Sequence, residues 1–145
     1  WDNAKGFTLN LPLPPGTTCK SYFEAFKEIV PPLTKQFNPE IIIYQAGVDT
    51  HHSDPLADLL LTYQTYYDMA KQMIELSNST CKKLLVLLGG GYNSSASIIS
   101  YYNIICGFLG KNEHIKEDEP IDYKTRQVKI LVDELKKILA NYWDI

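Results

Sequence analysis

A short, continuous apolar run that ends at a cluster of polar residues constrains this chain most. Residues 41–45 read Ile-Ile-Ile-Tyr-Gln, and the ten residues that follow include Asp49, Asp54 and the adjacent pair His51 and His52. Such a run is typical of a strand in a parallel sheet that is covered on both faces. Open parallel sheets bind ligands at the carboxyl ends of their strands, where the loops form a crevice. We therefore expect the functional residues around Asp49.

A second unit repeats this order of strand, loop and helix. Residues 83–88 read Lys-Leu-Leu-Val-Leu-Leu and predict a strand, and Gly-Gly-Gly-Tyr-Asn at residues 89–93 leads into a helical pattern. The residues that show this helical spacing are Ile98, Tyr101, Tyr102, Ile105 and Leu109. Between the strands, Thr62 is a plausible N-cap of an amphipathic helix that runs to Ile74. The alternation implies right-handed crossovers and an α/β sandwich.

The remaining segments predict flanking elements. Residues 7–13 alternate apolar and polar side chains and predict a strand that ends at Pro14-Pro15-Gly16. Residues 18–37 predict a helix that bends at Pro31-Pro32. Residues 111–120 are charged and predict a loop, and the apolar spacing from Val128 to Tyr142 predicts a last helix.

Composition and charge exclude several classes of protein. The chain is 45% hydrophobic and 21% charged with a net charge of -3, which is ordinary for one globular domain and offers no basic patch for nucleic acid. No apolar run approaches the ~20 residues that span a membrane, and residues 1–5 lack the apolar centre of a signal peptide. The sequence predicts a cytoplasmic protein that binds neither nucleic acid nor membrane.

The cysteines and the first residue add two expectations. Cys19, Cys81 and Cys106 are far apart, so we expect free thiols and neither a disulfide framework nor a thiolate zinc site. The chain begins with Trp1 and opens at once into strand-like sequence, and we expect an upstream portion.

The loop around Asp49 allows two interpretations. A carboxylate directly after a buried strand is held on rigid backbone and suits a divalent cation, but it can equally cap the next turn or helix. Asp54 precedes Pro55 and is interpreted as a turn residue. Adjacent residues of extended chain point to opposite sides, so His51 and His52 are not expected to face one site. His51 either hydrogen-bonds behind a metal ligand or is an ordinary polar loop residue.

The glycine-rich loop also allows more than one interpretation. Three consecutive glycines can adopt a positive φ and let the backbone approach a ligand closely. The hydroxyl of Tyr92, which follows them, could donate a hydrogen bond to a developing oxyanion. Alternatively, residues 89–91 make a tight turn and Tyr92 packs on the core. Phosphate binding is a further possibility, although neither G-x-G-x-x-G nor G-x-x-x-x-G-K-[ST] is present.

The two loops taken together resemble a known family. The segments that carry the likeness are Gln45-Ala46-Gly47-Val48-Asp49-Thr50-His51, Asp54-Pro55-Leu56, Leu61-Thr62 and Leu87-Leu88-Gly89-Gly90-Gly91-Tyr92-Asn93. In order and spacing they resemble the metal-dependent histone deacetylases, including the acetoin-utilisation-type members of bacteria and archaea. The resemblance covers about residues 5 to 110. It implies the three-layer α/β sandwich of the arginase and deacetylase fold, with a mostly parallel sheet.

The resemblance also implies roles for particular residues. Asp49 matches a ligand of the catalytic zinc, for which iron or manganese could substitute. Tyr92 matches the tyrosine that polarises the acetyl carbonyl and stabilises the oxyanion. Leu56 matches a position that lines the acyl-lysine tunnel, and Gly90 and Gly91 match glycines at its floor. The implied substrate is an acetylated protein or a small acetylated amine.

The chain departs from the family pattern in one respect. The family's His-His pair and its Asp-x-His motif, which supplies two further zinc ligands, both lie upstream of the matching part and do not occur here. Residues 51–52 follow the wrong strand to be that pair. We therefore expect residues 1–145 to be the C-terminal portion of a single deacetylase-like domain, inactive alone and prone to associate with the missing N-terminal half or with itself.

Two alternatives to a deacetylase remain open from the sequence. The chain could be a non-catalytic, deacetylase-like fragment that serves as an interaction or regulatory domain. It could also be an unrelated α/β module whose glycine-rich turn holds a phosphate-bearing small molecule.

Overall fold

The computed structural model describes residues 5–145. Residues 1–4 lie outside the described residues, and with them most of the segment behind the expectations about a signal peptide and an upstream portion. Two strands and four helices follow one another along the chain. They are α1 (Cys19–Phe37), β1 (Ile42–Ala46), α2 (Tyr63–Asn78), β2 (Leu84–Leu88), α3 (Ser94–Leu109) and α4 (Thr125–Leu139). The predicted α/β class is confirmed, as are two of the three predicted strands and all four predicted helices.

β1 and β2 form a parallel pair whose register runs from Ile42 opposite Leu84 to Ala46 opposite Leu88. Tyr44 and Val86 point inward and pack against the cluster formed with α2 and α3. The opposite face carries Ile43, Leu85 and Leu87, which are exposed. Within residues 5–145 no layer lies over this second face, so the described residues cover one face of the sheet and do not test the expectation that both faces are covered.

α2 and α3 approach each other closely through small side chains. A Cβ atom added to Gly107 would lie 2.5 Å from the carbonyl oxygen of Tyr67 and 2.8 Å from Cβ of Ala70. α3 consequently buries small and polar residues: Ala96, Ser100, Asn103, Ile104, Cys106 and Gly107. The predicted helix is confirmed, but three of the residues that share its helical spacing are more than half exposed: Ile98, Ile105 and Leu109.

A second core joins α1 to α4 and includes the segment before α1. Ile29 and Leu33 of α1 pack with Val132 of α4, and Leu11 and Leu13 cover that cluster. The strand predicted over residues 7–13 is wrong. This segment pairs with no strand in the described part of the chain, because its apolar side chains are used to pack on two helices.

The carboxylate of Asp122 links the start of α1 to the start of α4. Its Oδ2 accepts hydrogen bonds from the side chains of Thr18 (2.7 Å) and Ser21 (2.5 Å), and its Oδ1 accepts one from the backbone N–H of Lys124 (2.7 Å). Burial alone would raise the pKa of Asp122, but these hydrogen bonds lower it to about 2. The loop that precedes α4 is thereby tied to α1.

Three further expectations can be compared with the structure. α1 continues through Pro31 and Pro32, and residues 111–120 form a loop as predicted. All three cysteines are free thiols. None of the helices within residues 5–145 is long and apolar enough to cross a membrane.

Candidate functional site

The loops that follow β1 and β2 meet at one cavity. Asp49 from the first loop and Gly90 and Tyr92 from the second line a cavity of about 430 Å³. The loops lie side by side because the two strands are parallel and in register, which puts both carboxyl ends at one edge of the sheet. These three residues lie at the edge of the sheet where the sequence predicts the functional residues.

The Asp49 carboxylate faces the glycine-rich loop. A Cβ atom built on Gly90 would lie 3.1 Å from Oδ2 and 3.3 Å from Oδ1 of Asp49. No residue in the range 5–145 donates a hydrogen bond to this carboxylate. The alternative interpretation of Asp49 as a cap is therefore not realised in the described part of the chain, and its oxygens stay available to a ligand.

Gly90 has a φ of +83°, which favours glycine, and its carbonyl is held from two sides. Tyr101 of α3 donates its hydroxyl to the Gly90 carbonyl oxygen at 2.6 Å, and the backbone N–H of Val48 donates to the same oxygen at 3.3 Å. Burial is the main cause that raises the pKa of Tyr101, so its hydroxyl stays protonated and able to donate. The glycine-rich loop is thus fixed against both the sheet and α3.

Tyr92 is held through its backbone and not by core packing. Oδ2 of Asp54 accepts a 2.7 Å hydrogen bond from the N–H of Tyr92, and Oδ1 accepts a 2.9 Å bond from the N–H of Leu56. Burial would raise the pKa of Asp54, but these bonds and further backbone N–H groups lower it, so the group is a carboxylate at neutral pH. The Tyr92 side chain is 59% exposed, so the interpretation in which it packs on the core is wrong.

A second contact joins the same two loops. The side-chain amide of Asn93 donates to Oγ of Ser53 at 3.0 Å, and its oxygen accepts the N–H of Ala96 at the start of α3. Asn93 therefore caps α3 and also connects it to the loop after β1. The backbone N–H of Tyr92 bonds to Asp54, and the side chain of the next residue, Asn93, bonds to Ser53. These two contacts together restrict the backbone at Tyr92.

His51 and His52 point toward the same partner, contrary to the prediction from extended chain. Nε2 of His51 lies 2.8 Å from Oε1 of Glu117, and Nε2 of His52 lies 3.1 Å from Oε2 of that carboxylate. The alternation argument fails because His52 belongs to a turn, which brings the two rings to a centroid distance of 4.4 Å. Nδ1 of His51 contacts Oγ of Ser53 at 2.8 Å, so neither ring nitrogen contacts Asp49.

Two residues given roles by the resemblance lie outside the cavity lining. Leu56 is 69% exposed to solvent. Gly91 faces the protein, since a Cβ atom there would lie 2.6 Å from Cγ2 of Val48. The described residues therefore bring Asp49, Gly90 and Tyr92 together at the cavity but not Leu56 or Gly91.

The chemistry of the donor set tests whether a metal fits beside Asp49. An unpaired carboxylate in a cavity is a suitable ligand for a divalent cation. A catalytic zinc takes three protein ligands, and the one group of three potential ligands found within residues 5–145 is His51, His52 and Glu117, which does not include Asp49. Asp49 therefore fits one position of a metal site whose other ligands the described residues do not supply.

Sequence reasoning missed three residues that shape this region. Asp54 was interpreted as a turn residue, which its bond to the Leu56 N–H confirms, but its bond to Tyr92 was not foreseen. Glu117 and Tyr101 were assigned no role near the loops. Their partners lie 66 and 11 residues away in the chain, and no local pattern signals either pairing.

Comparison with known proteins agrees with the fold and the loops. The family model described as "Histone deacetylase domain" matches residues 1–106. The chain belongs to the histone deacetylase domain family, which confirms the resemblance seen in the sequence.

Individual relatives show how much of the domain is covered. The chain is 30% identical to a probable deacetylase of Archaeoglobus fulgidus over 96% of the chain and 42% of that protein. It is 36% identical to histone deacetylase 14, chloroplastic, of Arabidopsis thaliana over 92% of the chain and 33% of that protein. The chain thus spans less than half the length of these relatives.

Two solved structures are similar in fold. The HD domain of HDA15 superposes with a TM-score of 0.78 at 28% identity, covering 96% of this chain and 36% of that one. The histone deacetylase Clr3 superposes with a TM-score of 0.80 at 26% identity, covering 95% of this chain and 22% of that one. The predicted arginase and deacetylase-like fold is confirmed.

Proposed function

We propose that the protein to which this chain belongs is a metal-dependent deacetylase that hydrolyses an acetylated amine. The observation that carries the proposal is that Asp49 and Tyr92 line one cavity at the carboxyl ends of two parallel strands. Family membership supports a deacetylase and sets aside the unrelated phosphate-binding module.

Tyr92 acts on the acetyl group through its hydroxyl. Attack on an amide carbonyl puts negative charge on the carbonyl oxygen, and a hydroxyl aimed at that oxygen stabilises the charge as it develops. The bonds from Asp54 and Asn93 keep the Tyr92 backbone in place, so little reorganisation is needed during the reaction. The tyrosine contributes as a hydrogen-bond donor.

Asp49 contributes one metal ligand. Members of this family use a metal ion, and we propose zinc, with iron or manganese as substitutes because mixed oxygen and nitrogen ligands separate these metals poorly. When bound, such an ion supplies Lewis-acid chemistry at the carbonyl. The further ligands and the acid/base histidines come from residues beyond those described, so the chain alone is inactive.

The substrate is an acetylated protein or a small acetylated amine, and Gly90 lines the cavity that receives it. The exposed apolar face of the sheet, around Ile43 and Leu85, suits association with the rest of the domain or with a second copy. We propose a cytoplasmic location, although two plant relatives are named as chloroplastic.

The proposal is tested in the protein that carries this chain, with an acetyl-lysine peptide and an acetylated polyamine as substrates. Tyr92→Phe removes only the hydroxyl and should lower kcat by about 100-fold or more with unchanged metal content. Asp49→Ala should lose the metal as well as activity. Tyr123→Phe, on a side chain that is 80% exposed, and Asp118→Ala, in an exposed loop, are the matched controls.

Full activity of Tyr92→Phe and Asp49→Ala would refute the site assignment. If the protein is folded without bound metal and has no deacetylase activity, the result would support the alternative, in which the deacetylase-like chain serves as an interaction domain.

A further inference from the structure

His51, His52 and Glu117 bring three metal-capable groups together in a cluster that does not include Asp49. One ligand atom from each residue lies within 4.8 Å of the others. The His51 side chain is 2% exposed and that of His52 is 39% exposed, so the group runs from the interior to the surface. Two imidazoles and a carboxylate are the ligand types that bind zinc in His₂Glu sites.

We propose that His51, His52 and Glu117 bind a divalent transition-metal ion of the zinc class, at a site separate from that of Asp49. The ion joins the loop after β1 to the loop that precedes α4. Its role is structural, since it connects residues 66 positions apart in the chain.

The spacing of the ligand atoms suits a tetrahedral ion. Metal–ligand distances of about 2.0–2.1 Å place tetrahedral ligand atoms roughly 3.4 Å apart. Nε2 of His51 lies 2.8 Å from Oε1 of Glu117 and Nε2 of His52 lies 3.1 Å from Oε2, and one ligand atom from each residue lies within 4.8 Å of the others, so a small shift of the Glu117 carboxylate brings one oxygen into reach of the ion. Glu117 lies in a loop without regular secondary structure, where such a shift is easily made.

Surrounding contacts already orient His51 and Glu117. The N–H of Tyr63 donates to Oε1 of Glu117 at 2.9 Å, and the side-chain amide of Gln64 donates to the Glu117 carbonyl at 2.9 Å. The ring of His51 stacks on Tyr63 with a centroid distance of 4.4 Å. The carboxylate and the imidazole are therefore held in place before any ion binds, which lowers the entropic cost of binding.

Ser53 can serve both tautomers of His51. Without metal, the Ser53 N–H donates to Nδ1 of His51 at 3.2 Å, so Nε2 carries the proton that is donated to Glu117. Metal binding to Nε2 requires the proton on Nδ1, and Oγ of Ser53 lies 2.8 Å away to accept it. The proton moves between nitrogens of one ring, and the exposed side at His52 leaves the fourth position to water.

The experiment is zinc titration of the metal-free protein that carries this chain by calorimetry, with Co²⁺ as a spectroscopic probe of four-coordinate geometry. Wild type should bind one zinc at this site and gain thermal stability in proportion to ln(1 + [Zn]/Kd). His52→Ala and Glu117→Gln should each weaken binding by about 100-fold or more, since even supporting residues of metal sites account for 10- to 100-fold. Glu119→Gln, the same change on an exposed residue of the same loop, is the control.

The variants separate the two proposed sites. Uptake that survives in Asp49→Ala and is lost in Glu117→Gln supports this site whether or not the proposed function is correct. Uptake lost in Asp49→Ala but unchanged in Glu117→Gln overturns it and leaves the deacetylase proposal intact. No uptake by wild type at millimolar zinc also overturns it. His52→Ala keeps the test sharp if Glu117→Gln fails to fold, because the His52 side chain is largely at the surface.

Discussion

The backbone N–H of Tyr92 donates a 2.7 Å hydrogen bond to Oδ2 of Asp54, 38 residues earlier in the chain. This bond crosses between the loops that follow β1 and β2, so the position of the tyrosine depends on a carboxylate that does not itself line the cavity. The same carboxylate accepts the N–H of Leu56, which makes Asp54 both a turn residue and a support for the neighbouring loop.

Removal of the Asp54 carboxylate should therefore loosen both loops. A hydrogen bond to a charged, buried group contributes about 1.5–3 kcal/mol, so Asp54→Ala should lower the free energy of unfolding by roughly that amount. Urea denaturation measures this loss, and hydrogen exchange should show faster exchange at the Tyr92 amide. Asp58→Ala, on an exposed aspartate of the same segment, is the control. Equal stability of the two variants would contradict the role given to Asp54.

Gly90 offers a test of the contact between the two loops. Gly90→Ala places a Cβ atom about 3.1 Å from the Asp49 carboxylate and also strains a residue with a φ of +83°. Gly110→Ala introduces a similar backbone strain at a φ of +64°, but its Cβ atom would have no neighbour within 4 Å. Gly90→Ala should thus reduce the free energy of unfolding by about 1–3 kcal/mol and by more than Gly110→Ala. Indistinguishable losses would show that the Asp49 contact costs nothing.

Asn103 holds the loop that carries Glu117 against α2. Its buried side-chain amide donates to the carbonyls of Tyr63 (2.8 Å) and Ile115 (2.7 Å), and its oxygen accepts the Ile115 N–H at 2.9 Å. Asn103→Ala leaves these backbone groups without partners and should destabilise the chain by about 2–4 kcal/mol. Chemical denaturation of this variant beside Asn141→Ala, on an exposed asparagine, checks the expectation. A loss below about 0.5 kcal/mol would be inconsistent with it.

The Asp122 carboxylate should make the free energy of unfolding depend on pH in the acid range. Its pKa is about 2 in the folded chain against an ordinary value of 3.8. A carboxyl with a depressed folded pKa stabilises the protein above its unfolded pKa, and that stability is lost as pH falls toward the folded pKa. The loss should be about 2 kcal/mol between roughly pH 4 and pH 2.

The pH dependence of Asp122→Asn identifies this contribution. The variant should be less stable than wild type at pH 6, and the difference should shrink as pH falls through the range 4 to 2. Glu119→Gln, in the same loop, should follow the wild-type pH profile. A constant difference between Asp122→Asn and wild type at all pH values would mean that the loss is steric and unrelated to the carboxyl charge.

The sequence by itself determined the elements and the position of the two central site residues. The runs before Asp49 and Tyr92 are short and apolar, and their periodicity differs from that of the helices, which is enough to predict two strands and the loops after them. Thr62 begins α2 with a capping box as the local pattern indicates. These features depend on residues close in sequence, where pattern and propensity carry the information.

Tertiary structure decided the remaining contacts, because these contacts depend on which segments far apart in the chain pack together. Residues 7–13 alternate like a strand but pack on helices, since no strand lies within reach among the described residues. α3 turns its small residues inward because Gly107 allows α2 to approach closely. His51 and His52 meet Glu117 because a turn directs both rings to one side, and Asp54 meets Tyr92 because two parallel strands end at one edge. None of these pairings leaves a local signal, since the partners lie tens of residues apart.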